Sequence, residues 1–291
     1  MIPNNNLSVL PWYTSIGQQN ARKWWIYNQV YPLFTPAGFI LPFQMLVPII
    51  SGQPTVSIGN IFLHDANTNA SLENCRTKLI NTGLTSKRFA SLGYDVLVYP
   101  GTLPAFTRLD NGRYYLEAVI NSVSYYSEVF TVVNDIQPYL KITWWDTNDF
   151  TMDAGTIVYK SPSFKNVLYL PSDLAKPEYA FEEEGENRDG YFFPIKQISE
   201  KRYHFTFLAS EYLLDVMRFI RLADFAEIEY HGQRYSLDTF LITPEWEDNG
   251  DVAAVEAVFD TATVAKKIGL GYVKAQRGDF NADFNNDYNN Q

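Results

Sequence analysis

The chain contains few side chains that could bind a metal ion or act as a nucleophile. Among its 291 residues are three histidines and one cysteine. Zinc sites combine histidine and cysteine ligands at short, regular spacings, and His64, His204, His231 and Cys75 show no such spacing. His64 and His231 fall at predicted turns, where they would be solvated or would cap a strand, and His204 falls on a predicted strand. We therefore predict no metal, no cofactor and a structural role for the Cys75 thiol.

Two groups of carboxylates raise the question of sugar cleavage, which uses two carboxylates facing each other across a cleft. The first group is the run from Glu182 to Glu186. The second group surrounds Trp246 and comprises Glu245, Glu247, Asp248 and Asp251. Clustering along the chain does not supply the required separation, and a charge run is usually a solvated face. With no phosphate-binding loop, dinucleotide fingerprint or nucleophile elbow in the sequence, we predict that the chain is not an enzyme.

A calcium loop is a further possibility at Asp146 to Asp149, which is followed by Asp153. The central glycine and terminal glutamate of a calcium-binding helix-loop-helix are missing from this stretch. We therefore interpret it as a surface turn between two strands.

Composition and charge limit the classes of partner. The formal net charge is −10, so the chain gains little from counterion release and we expect no direct contact with nucleic acid or with an anionic membrane. A single cysteine permits no intrachain disulfide, which fits a reducing compartment. The uncharged stretch from Val30 to Ile50 contains four prolines, which would break a membrane-spanning helix. The N-terminus lacks the basic and apolar regions of a signal peptide.

Residues 1–44 are predicted to form an extended, charge-poor arm. Arg22 and Lys23 are the only formally charged side chains in residues 1–64. Dense aromatic residues without charge must be covered, either by the chain's own core or by a partner subunit, and both alternatives stay open. The candidate contact residues in the arm are Trp12, Trp24, Trp25, Tyr31, Phe34 and Phe39.

Residues 276–291 form a low-complexity tail that repeats an Asp-aromatic-Asn unit. So polar a segment is predicted to be disordered on its own. Its regularly spaced aromatic residues are therefore candidate anchors on a partner, namely Phe280, Phe284 and Tyr288.

Residues 45–134 alternate between predicted strands and turns. Asp110, Gly112 and Tyr114 have the spacing of a tyrosine corner, in which the tyrosine hydroxyl bonds back to the backbone at the corner of a sandwich. Two long strands, from residue 113 to 120 and from 124 to 133, follow as a hairpin with a short turn at Asn121 and Ser122. These signals predict an immunoglobulin-like β-sandwich at 45–134.

Residues 138–275 are predicted to form an α+β domain that begins after the boundary at Asn134–Pro138. A helix is predicted from Ser210, as its N-cap, to about Leu222. Strands are predicted at 191–195 and 202–208, and a hairpin at 226–242, whereas 176–189 is interpreted as a charged segment bordered by turns. The predicted fold class is mainly β, with an immunoglobulin-like sandwich followed by an α+β domain that has one packed helix.

Adjacent aromatic pairs leave a second function open. Neighbouring residues of a strand face opposite sides of a sheet. One member of the pair Trp144-Trp145 and one of Tyr125-Tyr126 should therefore enter the core, while the other could stack on a sugar. The alternative hypothesis is thus a carbohydrate-binding module that recognises a host-surface glycan.

Three stretches carry a resemblance to a known group of proteins. They are Gly112–Glu117 with Tyr126–Val133, Phe207–Val216 and Pro244–Asp251. They resemble structural proteins from the tail modules of tailed phages of gut bacteria, including the crAss-like group. The resemblance implies a virion component of a tail, ring, collar or baseplate, assembled in the host cytoplasm.

The same resemblance sets the expected partners. They are neighbouring copies of the chain itself and other virion proteins. It brings no catalytic residues, and we expect no small-molecule ligand.

Overall fold

The computed structural model describes residues 8–19, 33–90, 93–107, 109–147, 150–153, 157–160, 164–188, 190–246, 252–261 and 265–268. The fold is mainly β, which confirms the predicted fold class. Among the described residues, no helix has the length and apolar character needed to cross a membrane.

The first half of the chain consists of short strands and one short helix. A single turn of 3-10 helix also lies at Ile16–Gln18. The elements are β1 (Trp12–Tyr13), β2 (Phe34–Pro36), β3 (Phe43–Pro48), β4 (Ile58–Asp65), β5 (Ser71–Asn74), α1 (Arg76–Asn81), β6 (Thr85–Phe89), β7 (Tyr94–Tyr99), β8 (Gly112–Ile120), β9 (Val123–Ser127) and β10 (Phe130–Val133).

These strands form two sheets. In the larger sheet β8 pairs with β4 on one side and with β9 and β10 on the other, and β4 also pairs with β5. The smaller sheet has the order β3-β7-β6. The orders β10-β8-β4 and β3-β7-β6 correspond to strands G-F-C and B-E-D of the immunoglobulin sandwich. The predicted immunoglobulin-like topology is therefore present.

Two segments of the predicted arm belong to this sandwich. Strand β1 pairs with β9, and β2 pairs in parallel with β10. The described part of residues 1–44 is thus integral to the sheet and does not form a separate extension.

The predicted tyrosine corner is confirmed by a hydrogen bond. The Tyr114 hydroxyl donates to the backbone carbonyl of Asp110 at 3.0 Å. A Cβ atom on Gly112 would lie 2.9 Å from the Tyr114 hydroxyl oxygen, so the glycine leaves the space in which the ring lies. This explains the Asp-x-Gly-x-Tyr spacing in physical terms.

The second half is built on one long antiparallel sheet with a short helix. Strands β12 and β13 pair with each other outside that sheet, and a turn of 3-10 helix at Arg218–Ile220 extends the helix. The elements are β11 (Leu140–Trp145), β12 (Phe150–Asp153), β13 (Ile157–Lys160), β14 (Asn166–Leu170), β15 (Glu178–Arg188), β16 (Tyr191–Ser210), α2 (Glu211–Met217), β17 (Phe225–Tyr230), β18 (Gln233–Trp246), β19 (Val252–Thr261) and β20 (Ala265–Ile268).

The strand order in this sheet is β14-β11-β17-β18-β19-β16-β15, with β20 also pairing with β16. The predicted hairpin is formed by β17 and β18, and the turn residues His231 and Gly232 both have positive φ, as a tight type I′ turn requires. The helix begins at its predicted N-cap, where the Ser210 hydroxyl accepts a hydrogen bond from the Leu213 amide at 3.2 Å. The α-helix ends at Met217, five residues before the predicted end at Leu222.

One prediction of local structure was wrong, one was incomplete, and one element was not predicted. Residues 178–188 form strand β15, not a charged segment between turns, and the two strands predicted at 191–195 and 202–208 are one continuous strand, β16. Glutamate is a poor strand former, so the signal that was missed is the two-residue spacing of the aromatic residues Tyr179 and Phe181 in β15. The short helix α1 was also not predicted.

The two halves share one hydrophobic core. Its buried residues come from both sides of the predicted boundary at 134–138. The Phe34 ring packs on Tyr139 with centroids 5.0 Å apart, and the Tyr212 hydroxyl of α2 donates to the backbone carbonyl of Ser8. The two described halves therefore share this core, and a smaller buried cluster of Leu46, Val96, Val98 and Phe164 also combines residues of both halves.

Replacing Tyr114 with phenylalanine tests the tyrosine corner. We expect Tyr114→Phe to lower the free energy of unfolding by about 1–2 kcal/mol, because a largely buried hydrogen bond is lost. Urea denaturation measures the change. The control is Tyr126→Phe, since that hydroxyl lies 3.4 Å from Glu117 in a more exposed position, and a loss below about 0.5 kcal/mol is expected there. Equal losses in the two variants would contradict the structural role of the corner.

Candidate protein-interaction surface

Two of the candidate contact residues in the described part of the arm lie in the chain's own core. Trp12 is fully buried with its ring edge on Phe43 at 4.9 Å, and Phe34 is 7% exposed. Phe39 is half-buried. Trp12 and Phe34 are therefore covered by the chain's own core and not by a partner subunit. The other candidate contact residues lie outside the described residues, namely Trp24, Trp25, Tyr31, Phe280, Phe284 and Tyr288.

The histidines and the cysteine occupy separate structural positions. His64 was predicted to be solvated or to cap a strand; it is buried, and its Nδ1 lies 3.4 Å from the backbone carbonyl oxygen of Asn69 in the adjoining turn. Its ring stacks on Tyr115 at 4.8 Å, and its Nε2 lies 3.1 Å from a Glu117 carboxylate oxygen. His204 Nδ1 lies 3.2 Å from a carboxylate oxygen of Glu256. In the described part of the chain, no group of three or more histidine, cysteine or acidic residues could hold a metal ion.

The Cys75 thiol is a structural group. It is fully buried and donates to the backbone carbonyl of Ile61 at 3.3 Å. Burial raises the pKa of this thiol to about 12. The thiolate is the nucleophilic form of cysteine, so the neutral thiol of Cys75 is unreactive at physiological pH.

The carboxylates of the first acidic group lie on an open surface. Glu182, Glu184 and Glu186 project from one face of β15 and Glu183 from the other, because successive side chains of a strand alternate. All four are exposed, and the Gln197 side-chain amide donates to Glu183 at 2.7 Å. In the second group Glu245 is exposed on β18, while Glu247, Asp248 and Asp251 lie outside the described residues. Glu245 lines a surface pocket together with Glu256 of β19.

The aromatic pairs divide between core and surface as predicted. Trp144 and Tyr125 are buried, and their neighbours Trp145 and Tyr126 are half-buried on the opposite side. The Trp145 ring is stacked on Phe225 at 5.4 Å, and Lys165 Nζ lies 3.8 Å from its centroid. Phe225 of β17 and Lys165, which directly precedes β14, therefore both lie against the Trp145 ring. Little of Trp145 is left for stacking on a sugar.

The most exposed apolar side chains lie on the hairpin formed by β15 and β16. Tyr179 is 69% exposed, Phe181 is 68% exposed and Phe192 is 47% exposed. The strand register places these three side chains on the same face as Lys201 and Tyr203, since directly paired residues point to the same side of a sheet. Tyr203 belongs to the core. We call Tyr179, Phe181 and Phe192 the aromatic face; it extends the core-facing side of the sheet beyond the core.

The base of this hairpin is fixed by an ion pair. Arg202 Nε and Nη2 donate to the two carboxylate oxygens of Asp260 at 2.9 and 3.2 Å, and the Thr239 hydroxyl donates to Asp260 at 2.8 Å. These bonds lie where the pairing of β18 with β19 shifts by one residue after Leu237. The bond from Arg202 lowers the pKa of the Asp260 carboxyl, with a smaller contribution from Thr239. These bonds hold β16 at Arg202 against β18 and β19, next to the part of β16 that lies in the core.

No protein-family model and no curated protein matches this sequence. The described residues form an exposed, aromatic, partly acidic hairpin surface. Sequence reasoning placed the candidate contacts in the terminal segments and missed this hairpin. The two-residue spacing of the aromatic residues Tyr179 and Phe181 was the available signal.

The Arg202–Asp260 pair should make stability depend on pH. A carboxyl whose pKa is lower in the folded state stabilises the protein above its unfolded pKa of about 3.9, and this stabilisation is lost as pH falls through the folded value. We expect Asp260→Asn to lower the free energy of unfolding by about 1–2 kcal/mol at pH 7. The difference from wild type should shrink below about pH 4.

Urea denaturation between pH 3 and pH 7 measures this difference. Asp215→Asn is the matched control, because the Asp215–Arg218 pair is solvent-exposed and should contribute less than about 0.5 kcal/mol throughout. A difference for Asp260→Asn that stays constant with pH would contradict the assignment.

Proposed function

We propose that this chain is a structural subunit of a phage virion that acts through protein–protein contacts, as a tail, ring or collar, or baseplate component. The observation that carries an assembly role is the exposed aromatic face on the β15–β16 hairpin. The resemblance of the stretches at 112–133, 207–216 and 244–251 to tail-module proteins supports the phage context. In this proposal the chain is assembled in the host cytoplasm and resides in the particle.

The exposed hairpin favours a contact that forms on assembly. Among the described residues β15 pairs only with β16, which pairs on its other side with β20 at 196–199 and with β19 at 202–210. The aromatic face continues past the core on this part of the sheet and is exposed. Large exposed apolar side chains of this kind mark surfaces that a partner covers. Tyrosine and phenylalanine are also enriched in the cores of protein interfaces.

The glutamates of β15 fit the same role. A bare edge strand can pair with other chains without specificity, and charged side chains along the edge suppress this. β15 is the last strand in the order of its sheet and carries the run from Glu182 to Glu186. The hairpin thus combines an exposed aromatic face with a negatively charged edge strand. This combination suits a subunit that stays in solution until it binds its partner.

Mass spectrometry of purified particles tests the virion assignment. We expect peptides of this chain in particles of the phage whose genome encodes it, at several copies per particle. Host proteins of similar abundance in the lysate serve as the control for contamination. Particles that are infectious and complete but lack the chain would overturn the proposal.

Replacing the aromatic face tests whether it makes the contact. We expect the double variant Tyr179→Ser, Phe181→Ser to fold with a free energy of unfolding within about 1 kcal/mol of wild type, because both side chains are exposed. Its copies per particle should fall at least about tenfold, since aromatic residues often dominate interface energy.

Label-free quantification of particles from complemented hosts measures the copies. Leu222→Ser is the matched control, because this side chain is 58% exposed but lies outside the hairpin. Equal incorporation of the double variant and the control would exclude the aromatic face as the contact.

A further inference from the structure

The two sides of the β15–β16 hairpin carry different charge. Successive side chains of a strand alternate between its two sides, so most glutamates of β15 project from the side opposite the aromatic face, namely Glu178, Glu182, Glu184 and Glu186. The charged residues of β15 and β16 on the aromatic side are Glu183 and Lys201, which is paired with Tyr179. The aromatic side of these two strands therefore carries one charge of each sign, although β15 as a whole is acidic.

The edge of β15 is poorly suited to pairing with a second copy of itself. β15 is the last strand in the order of its sheet, so its backbone groups could pair with another strand. Two copies of β15 side by side would bring their glutamates together, and like charges directly opposite each other destabilise a sheet. Contact through the aromatic face avoids this, because it leaves those glutamates on the two outer sides.

The aromatic face offers enough apolar area for a weak contact. Aromatic side chains bury roughly 150–250 Å² each. With the exposed fractions of Tyr179, Phe181 and Phe192, the three rings expose roughly 300–450 Å² per copy. Two such faces in contact would bury roughly 600–900 Å² in all, which is the size of a weak, reversible interface and not of a permanent one.

The chain's own core limits how a second hairpin can lie on this face. On the aromatic side, β16 enters the core at Tyr203, which is buried. The space over the aromatic face is therefore closed at the base of the hairpin and open at its tip. A second hairpin fits in the antiparallel direction, with its tip toward Tyr179 and its own core beyond the tip of the first hairpin. Both copies then use the same surface, related by a two-fold axis.

The register of the hairpin makes the aromatic face complementary to itself in this arrangement. Full overlap of two antiparallel hairpins places the two-fold axis near Glu184, about midway between the base and the turn. Phe181 lies three residues before this point, and Asn187, with which Phe192 is paired, lies three residues after it. The Phe181 ring of each copy therefore falls at the level of Phe192 in the other. Gly185 next to the axis has no side chain, so the rings can approach closely.

We propose that two copies of this chain pack the aromatic faces of their hairpins on each other in antiparallel directions, with Phe181 of each copy against Phe192 of the other. A contact between identical surfaces closes at two copies, so it joins subunits in pairs and does not by itself build a ring. This inference rests on the proposed assembly function and names the partner of the aromatic face as a second copy of the chain.

Sedimentation velocity of the full-length chain over a concentration series tests the pairing. We expect a monomer–dimer equilibrium whose association constant falls at least about tenfold in Phe181→Ser and in Phe192→Ser, because aromatic residues often dominate interface energy. Leu241→Ser is the matched control, since this side chain is also exposed but lies outside the hairpin. Thermal unfolding checks that each variant is folded. A chain that stays monomeric at every concentration, or hairpin variants that associate like the control, would overturn the inference.

Glu183 gives a readout in the opposite direction. In the antiparallel arrangement the Glu183 side chains of the two copies lie two residue levels apart, roughly 7 Å along the strands. Glu183→Gln should therefore strengthen association about threefold or more, because it removes a repulsion between like charges. Glu182→Gln makes the same charge change on the opposite side and should leave the association constant unchanged. Equal effects of the two variants would contradict the antiparallel arrangement.

Cross-linking between introduced cysteines shows which levels meet. Ser199→Cys marks the level of Phe181, and Asn187→Cys marks the level of Phe192. In a mixture of the two variants a short bis-maleimide should join one to the other. Neither variant alone should cross-link, because two copies of one site lie roughly 20 Å apart along the strands. The native Cys75 is buried and does not react. Cross-links within one variant, or none in the mixture, would overturn the arrangement.

The two proposals can fail separately. A chain that is monomeric in solution would overturn the contact between copies, while its presence in purified particles would leave the virion role standing. Loss of the aromatic-face variant from those particles would then assign the face to a different virion protein. Absence of the chain from purified particles would remove the virion role even if copies pair in solution.

Discussion

Strand β16 runs for 20 residues from Tyr191 to Ser210 and passes through two environments. Its second part buries Tyr203, Phe205 and Phe207 in the shared core, where Tyr203 stacks on Phe259 at 5.2 Å. Burial of aromatic side chains contributes a few kcal/mol each, so this part of the strand is firmly held. The first part continues as the same strand, pairs with β15 on one side and with β20 on the other at 196–199, and buries Ile198. The hairpin beyond these contacts is therefore presented to solvent by a strand that the core holds at its other end.

A second constraint comes from the segment at residues 8–19, which ties the two halves together. The Tyr13 hydroxyl donates to the carboxylate of Glu128 at 2.9 Å, and the Val129 amide donates to the same carboxylate at 3.0 Å. Glu128 is fully buried, and a buried carboxylate is tolerated only when hydrogen bonds satisfy it. The same segment accepts a hydrogen bond from Tyr212 of helix α2. Polar groups buried in this way hold the segment at one place between the sandwich and the second sheet.

Structural features that a few neighbouring residues determine were predictable from the sequence. The tyrosine corner needs only Asp110, Gly112 and Tyr114, the helix start needs Ser210, and the hairpin turn needs His231 and Gly232. Features that depend on distant partners were not predictable. The pairing of β1 with β9 joins residues more than a hundred positions apart, and nothing near Trp12 specifies it. Strand β15 was missed because its glutamates disfavour a strand locally, while its extensive pairing with β16 overrides that preference.

The distribution of charge links this fold to its proposed role. A protein with exposed aromatic residues on a rigid strand risks indiscriminate aggregation, and the usual protection is charge on the edge. The charges on β15 are almost all negative. They therefore do more than suppress aggregation, because they also favour binding at this edge to partners of positive charge over partners of negative charge. Edges of the same sign repel, and an edge of opposite sign gains both ion pairs and backbone hydrogen bonds. A rigid hairpin loses little conformational entropy on binding, so more of the contact energy remains as affinity. In this proposal β16 fixes the orientation of the hairpin, and the charges of β15 determine which partner its edge can bind. These two properties can be changed independently.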